Sequence, residues 1–270
     1  MKAMIEEYGG VAWEMDPSAK ASHTLTCQEQ HFLSLSPDLL FASNLFMARY
    51  ARTRPRVRDF EVRSAVPSRE ARYTGERLDQ FDLDVFLACA QHVGTRPGPA
   101  PGLVRIDLGK TARELFRDGS AETRGQILAS LHRLEAGRIE VRDGRFSCCL
   151  RPVHKALHDA LTNHCLVELN PEMLQSLQRV GDVLGFVQDR MRLGRRAMDR
   201  WLHTLLRLSP GVCIPLKRLS DLCGNAGVDP GVVSQALGRL GRYVRPGEIG
   251  LHRERWLEIS KPVLAARAWT

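Results

Sequence analysis

Ile127, Leu128, Leu131 and Leu134 recur at helical period, and Ser120 ahead of them is suited to an N-cap, so the pattern predicts a helix with one buried stripe. Lys110 to Phe116 is a second helix-forming run, set off from the first by the turn residues Asp118-Gly119-Ser120. Beyond Gly137, a helix stop, Ile139-Glu140-Val141 and Phe146 to Leu150 flank Arg142-Asp143-Gly144-Arg145, where Asp-Gly predicts a hairpin turn. Two helices, a turn and a β-ribbon in that order predict a winged helix-turn-helix. The face opposite the stripe presents Glu122, Gly125, Gln126, Ala129, His132 and Arg133, small residues mixed with groups able to bond base edges or phosphates. Gln126, Ser130 and Arg133 on this helix, with Arg142 and Arg145 in the hairpin turn, are candidate DNA contacts.

Upstream, residues 1 to about 30 carry little apolar periodicity and are expected to form a flexible tail. Ser36-Pro37-Asp38 can cap a helix with apolar positions Leu39, Leu40, Leu45 and Phe46, and Arg72 to Gly75 reads as a short strand and turn. Asp82 to Val93 reads as a helix with Leu83, Phe86, Leu87, Ala90 and Val93 on one side. Thr95 to Gly102, rich in proline and glycine, breaks structure before a strand at Leu103 to Leu108. His154 to Leu161 is expected as a helix, and Cys165 to Leu169 as a strand closing the unit at Asn170-Pro171.

The second half repeats the plan. A short helix at Glu172 to Leu177 and a strand-like run at Val183 to Val187 precede an amphipathic helix, Arg195 to Leu208, that buries Met198, Trp201, Leu202 and Leu205. A short strand at Cys213-Ile214 and a helix from Leu216 to Cys223 follow, stopped by Gly224. Asp229-Pro230 then opens a helix with the stripe Val233, Ala236, Leu237 and Leu240. Its outer face holds Gly231, Ser234, Gln235, Gly238, Arg239 and Arg242, of which Ser234, Gln235, Arg239 and Arg242 are candidate DNA contacts. Tyr243 to Arg245 and Trp256 to Ile259 are expected to form the second wing around the turn 245–248. The expectation is a mainly α chain with small β-sheets, an α+β protein with tandem winged helix-turn-helix domains: a tail (1–30), a first winged-helix domain with a basic N-terminal extension (31–170) and a second (171–270).

Composition sharpens the choice of partner. The 270 residues carry 39 Lys+Arg against 31 Asp+Glu, a net charge of +8, which favours a polyanion. Much of the excess lies between Arg49 and Arg77, where nine arginines face four acids. Such a run is either a solvated face or an arm that grips a nucleic-acid backbone; in the second case Arg52, Arg54, Arg56 and Arg58 are contacts. No apolar run is long enough for a membrane span, and the first seven residues are too acidic for a signal peptide, so the expected location is the cytoplasm with no membrane partner. Seven cysteines, odd in number and without a C-x-x-C, suit reduced structural roles. Cys148, Cys149, His154 and His158 are the one metal-like cluster; the second cysteine pair of a zinc site is missing, and neither metal nor cofactor is expected.

These residues resemble the TrfA family of plasmid replication initiators. Ser43-Asn44-Leu45-Phe46 followed by Arg52-Thr53-Arg54-Pro55 is similar to the family's Ser-x-Leu-Phe with basic residues and proline. Tyr73-Thr74-Gly75-Glu76-Arg77-Leu78-Asp79-Gln80-Phe81-Asp82 resembles Tyr-Thr-Gly-x-x-Leu-x-x-x-Asp. Ser130-Leu131-His132-Arg133-Leu134-Glu135-Ala136 resembles Ser-Arg-Leu-x-Ala of the first recognition helix, and Pro215-Leu216-Lys217 with Leu222-Cys223-Gly224 resembles Pro-Leu-Lys and Met-Cys-Gly of the second domain. The resemblance spans about residues 36 to 260. It implies tandem winged helices that bind iterons in an origin, help open the duplex, and work with the host replicative helicase and initiator proteins. Gln30-His31-Phe32-Leu33-Ser34-Leu35 departs from the family's Gln-Leu-x-Leu-Phe sliding-clamp motif and reads as the start of the first apolar run.

Enzymatic alternatives lack their residues. Leu108-Gly109-Lys110-Thr111 has the tail of a phosphate-binding loop, but the glycine required five positions before Gly109 is Val104. A nicking initiator needs a His-x-His pair beside a tyrosine, and the nine histidines contain no such pair. No catalytic residue is assigned and the protein is expected not to be an enzyme. A transcriptional repressor is the rival: it predicts a homodimer on a palindrome, whereas two unlike domains predict one monomer per site.

Overall fold

One succession of elements occurs twice in a fold of mixed helix and sheet. The computed structural model describes residues 35–66, 69–95, 102–144, 146–225, 228–241, 249–252 and 256–259. The expected tail, the strand and turn at 243–248, Arg145 and Arg242 lie outside them. The described chain enters through α1 (Pro37–Phe41) and β1 (Phe46–Met47), continues through β2 (Arg56–Val62) and β3 (Glu70–Glu76), and reaches β4 (Leu78–Asp79), which pairs in parallel with β1. The first succession is α2 (Gln80–Thr95), β5 (Leu103–Asp107), α3 (Leu108–Phe116) and α4 (Ala121–Ala136), then two hairpins, β6 (Arg138–Asp143) with β7 (Phe146–Leu150) and β8 (Val153–Asp159) with β9 (His164–Leu169). Two connecting helices, α5 (Pro171–Gln178) and α6 (Val183–Arg192), follow. The second succession is α7 (Ala197–Leu208), β10 (Val212–Pro215), α8 (Leu216–Leu222), α9 (Pro230–Leu240), β11 (Ile249–His252) and β12 (Trp256–Ile259).

Sheet order makes the repetition explicit. The strand ahead of each helix pair bonds to the last strand of a hairpin, giving β5-β9-β8 in the first half and β10-β12-β11 in the second, all antiparallel. The hairpin β6–β7 is an addition to the first half and belongs to another sheet, β2-β3-β6-β7, through pairs such as Tyr73 with Ile139. This corrects one expectation: the ribbon around Asp143-Gly144 forms, but the hairpin equivalent to the second half's is β8–β9. His154 to Leu161, expected as a helix, is instead largely the strand β8; most of β8 is exposed, so the strand carries no apolar alternation and is fixed by the ladder of β9. Val183 to Val187 is helical, not strand-like. Asp182 caps it by accepting from the Gly185 N–H at 2.8 Å, and Phe186 and Val187 turn inward while Leu184 faces out. A five-residue apolar run is too short to show its period. Helix α1 also stops at Phe41, leaving Leu45 and Phe46 buried in a turn and β1.

Two apolar cores accompany the two successions. The first runs from Leu35 to Val187 and takes in α5 and α6 through Met173, Leu177, Phe186 and Val187. The second gathers Trp201, Leu205, Ile214, Leu222, Val233, Leu240 and Leu257, but also Ala42, Ala48 and Ala65 from the N-terminal part of the chain. The change of core therefore comes at Leu193, and the segment 42–65 packs on both sides of it. Trp201 Nε1 donates to the Ser43 carbonyl at 3.2 Å across that boundary.

Candidate nucleic-acid interface

Helix α4 starts where Ser120 accepts the Thr123 N–H at 3.2 Å, and it buries Ile127, Ser130, Leu131 and Leu134. Glu122, Gly125, Gln126, Ala129 and His132 are exposed on the other side. Helix α9 starts where Asp229 accepts the Gly231 N–H at 3.0 Å with Pro230 at its first position; it buries Val233, Ala236, Leu237 and Leu240 and exposes Ser234, Gln235 and Gly238. The two helices share a ten-residue pattern. Gly125 to Leu134 and Gly231 to Leu240 both read Gly-x-(Ile/Val)-x-x-(Ser/Ala)-Leu-x-Arg-Leu.

The arginine of that pattern plays the same part twice. Arg133 bonds Asp82 through Nε at 3.1 Å and a terminal nitrogen at 2.9 Å, and Arg239 bonds both Asp199 oxygens at 2.7 Å. Asp82 and Asp199 are each the third residue of their unit's first helix, α2 and α7, and both are buried. The Arg239 pair is bidentate and the two Arg133 bonds converge on one Asp82 oxygen; both are charge-assisted, so each fixes its α4 or α9 helix against the helix behind it. The hydrogen bonds that the Arg239 guanidinium donates to Asp199 hold its pKa above its ordinary value. Sequence makes both arginines candidate DNA contacts, to base edges or adjacent phosphates; in this structure their guanidinium groups are held in intramolecular pairs. Ser130 is fully buried and donates to Asp82 at 2.7 Å, so it cannot reach a base from this position.

The motif Tyr73 to Asp82 is the hub of this arrangement. Asp79 accepts the Ala51 N–H at 2.7 Å and pairs with Arg54 at 2.8 Å, while Asp82 pairs with the same arginine at 2.7 Å. Burial, and the Asp82 carboxylate beside it, push the Asp79 carboxyl above the usual range, which Arg54 opposes. These bonds hold the loop 49–55 along α4. One cleft of about 550 Å³ lies between them, lined by Arg52, Arg54, Gln126, Ala129, Arg133 and Arg195. A second, of about 370 Å³, lies on the other flank of α4, with Arg56, Gly75, Ala129 and His132 in its wall. The arginine run and the helix, which sequence could only treat separately, thus share one surface.

A solved structure has this fold. The chain is similar to a crystal structure of a selenomethionine derivative of domains 2 and 3 of RctB, at 15% identity over 79% of this chain and 88% of that one, with a TM-score of 0.54. A further crystal structure of RctB domains 2-3 aligns over 78% of this chain and 94% of its own length at 11% identity and a TM-score of 0.47. No protein-family model matches the chain, and no curated protein sequence matches it significantly.

Not all of the arginine run faces solvent. Arg49, Arg52, Arg56 and Arg58 are exposed. Arg63 and Arg72 are exposed but pair with Glu61 and Glu70, and Arg69 pairs with Asp143 at 3.0 Å. Arg77 is buried over the Phe60 ring, 3.8 Å from its centroid, and burial lowers its pKa to about 10. In the hairpin, Arg142 pairs with Glu140 at 2.7 Å. Arg195, which sequence reasoning passed over, closes the 550 Å³ cleft from the turn between α6 and α7; its signal was the Gly194-Arg195-Arg196 break. Lys110 and Thr111 lie in α3, whose N-terminus is capped by Asp107 accepting the Lys110 N–H at 2.9 Å. Cys148 and Cys149 are neighbours on β7, and His154 and His158 lie on β8.

Proposed function

We propose that this chain is a replication initiator of the TrfA kind, which binds iterons in a plasmid origin through two winged-helix units and opens the duplex by bending it, without nucleotide hydrolysis. The observation that carries the proposal is the repeated unit, each copy showing an exposed face on its second long helix, the first of them flanked by arginine-lined clefts. The likeness in fold to domains of RctB, a replication initiator, supports an initiator role. The ordered motifs from Ser43 to Gly224 support the TrfA kind. Gln126 in the first unit, and Ser234 and Gln235 in the second, are the base-edge contacts; Arg49, Arg52, Arg56 and Arg58 meet phosphates. One monomer covers one site in the cytoplasm, and the host helicase and initiator proteins act next.

The test is affinity for the plasmid's own repeats as salt is raised. If six to ten phosphates are neutralised, affinity falls by roughly three to five decades between 50 and 200 mM salt. Affinity nearly independent of salt would sink the proposal. On a supercoiled plasmid carrying the repeats, permanganate-reactive thymines beside them without ATP are expected. Strand nicking, or ATPase activity lost in Lys110→Ala, would overturn the non-enzymatic mechanism, and protection of a lone palindrome by a dimer would favour the repressor.

A further inference from the structure

The cleft beside α4 continues across Arg195 into a larger one, of about 690 Å³, at the junction of the two units. One wall is the C-terminal end of α3, with Glu114, Phe116 and Arg117; the other is the turn between α6 and α7, with Arg195 and Arg196. Two further arginines there are occupied. Arg192 pairs with Asp189 at 3.1 Å, and Arg200 is buried against Asp84. Arg117, Arg195 and Arg196 are exposed and form no ion pair among the described residues. The one acid in the lining, Glu114, lies 3.7 Å from Lys110. Asp118 already accepts from Thr123 and Ser120, and these bonds, with a smaller contribution from Arg195, hold its carboxyl below the usual range.

The cleft's apolar wall positions a cation without neutralising it. The Arg195 guanidinium carbon lies 5.6 Å from the centroid of Phe116, which stacks on Phe81 at 4.4 Å. Arg200 is also in the cleft's lining, and its Nε is buried behind it without a hydrogen-bond partner. Three unpaired guanidinium groups about one concave site, each a planar fork, match the oxygens of a phosphate group. We infer that the junction cleft is a phosphate site, and that it seats the DNA backbone between the stretches read by α4 and α9. The inference rests on the DNA-binding proposal above and adds to it the path of the duplex: from the α4 cleft over Arg195 to the second unit.

The experiment compares the full chain with its Arg117→Ala/Arg195→Ala/Arg196→Ala variant on the plasmid's own repeat. Each lost phosphate contact lowers the magnitude of the log–log salt slope by about 0.9, so a loss of roughly two to three is expected, with base preference unchanged. Ethylation interference at the phosphates between the two half-sites should disappear, and the triple lysine variant should retain most of the slope. The variant's circular dichroism and melting temperature should match the parent's, since the three side chains are exposed. An unchanged slope and interference pattern in a variant of a protein that does bind the repeat would overturn this inference alone; a parent without salt-dependent affinity would overturn it together with the functional proposal. Inorganic phosphate at constant ionic strength is the competing arm. If it raises the parent's melting temperature but not the variant's, while the DNA slope is the same in both, the site holds a free phosphate and the backbone assignment is wrong.

Discussion

Arg133 and Arg239 sit at equivalent places, yet their partners differ in what remains after either is removed. Asp82 keeps Arg54 and Ser130, whereas no second partner bonds Asp199 among the described residues. A buried carboxylate stripped of its donors costs more than one that keeps some. Arg239→Ala is therefore expected to lower the stability of the free protein by about 1–3 kcal/mol, and Arg133→Ala by less, as read by urea unfolding without DNA. If the two arginines acted only on bases, neither substitution would move that transition. His203 gives a second expectation at this scale. It is buried, stacked on Phe186 at 5.5 Å, with neither ring nitrogen bonded, and burial together with the positive charge of Arg190 lowers its pKa to about 3. Between an unfolded value near 6.5 and about 3, the unfolded chain binds a proton that the folded chain does not. Stability from this group is full above pH 6.5 and falls with pH across that window, by at most about 1.4 kcal/mol per unit. His203→Phe should flatten the stability profile there by one proton's worth.

Among the elements, the turn after α8 ties the second unit to the first. Gly224 has φ of +63°, and a Cβ placed on it would lie 3.0 Å from the Arg77 guanidinium and 3.2 Å from the Asn44 carbonyl. The left-handed conformation alone costs a residue with a side chain roughly 1–2 kcal/mol. Gly224→Ala should lower the melting temperature accordingly, while Gly125→Ala, which meets nothing within 4 Å, should be neutral or slightly stabilising in the middle of a helix. The same Gly125→Ala change tests the interface, because a weakening of DNA binding without loss of stability would mean that the duplex comes close to the helix backbone.

At the scale of the molecule, one carboxylate joins both units. Asp84 of α2 pairs with Arg190 of α6 at 2.8 Å and with Arg200 of α7, and Arg190 also donates to Gln80 at 2.9 Å, to the Arg200 carbonyl at 2.8 Å and to Thr204. All of these groups are buried. Removing the acid leaves two guanidinium groups without water or counter-charge, a change that costs about 3–5 kcal/mol. Asp84→Ala should unfold at correspondingly lower urea. Because this network fixes the angle between the units, inserting half a helical turn, about five base pairs, between the parts of a site should abolish high-affinity binding, and a full turn of 10–10.5 should restore part of it. Gel-shift titration of spaced sites separates a rigid pair from two independently tethered units.

Much of the fold was legible locally. The stripes of α4 and α9, the caps Ser120 and Asp229, the stop at Gly224 and the strands at 103–107 and 164–169 follow from periodicity and capping, which act within a few residues. The arginine-rich segment and the exposed Gln126, Ser234 and Gln235 could be named as surface groups for the same reason. Tertiary structure alone decided which hairpin completes each three-stranded sheet, since a strand such as β8 owes its existence to a neighbouring ladder and carries no apolar alternation of its own. It also decided which cations stay free. Ser130 and Arg133 meet an aspartate about fifty positions earlier in the chain, and Arg190 one 106 positions away, so their pairing leaves no trace in local spacing. Charge is written in the sequence, but whether it faces solvent or a buried carboxylate depends on what the folded chain brings beside it.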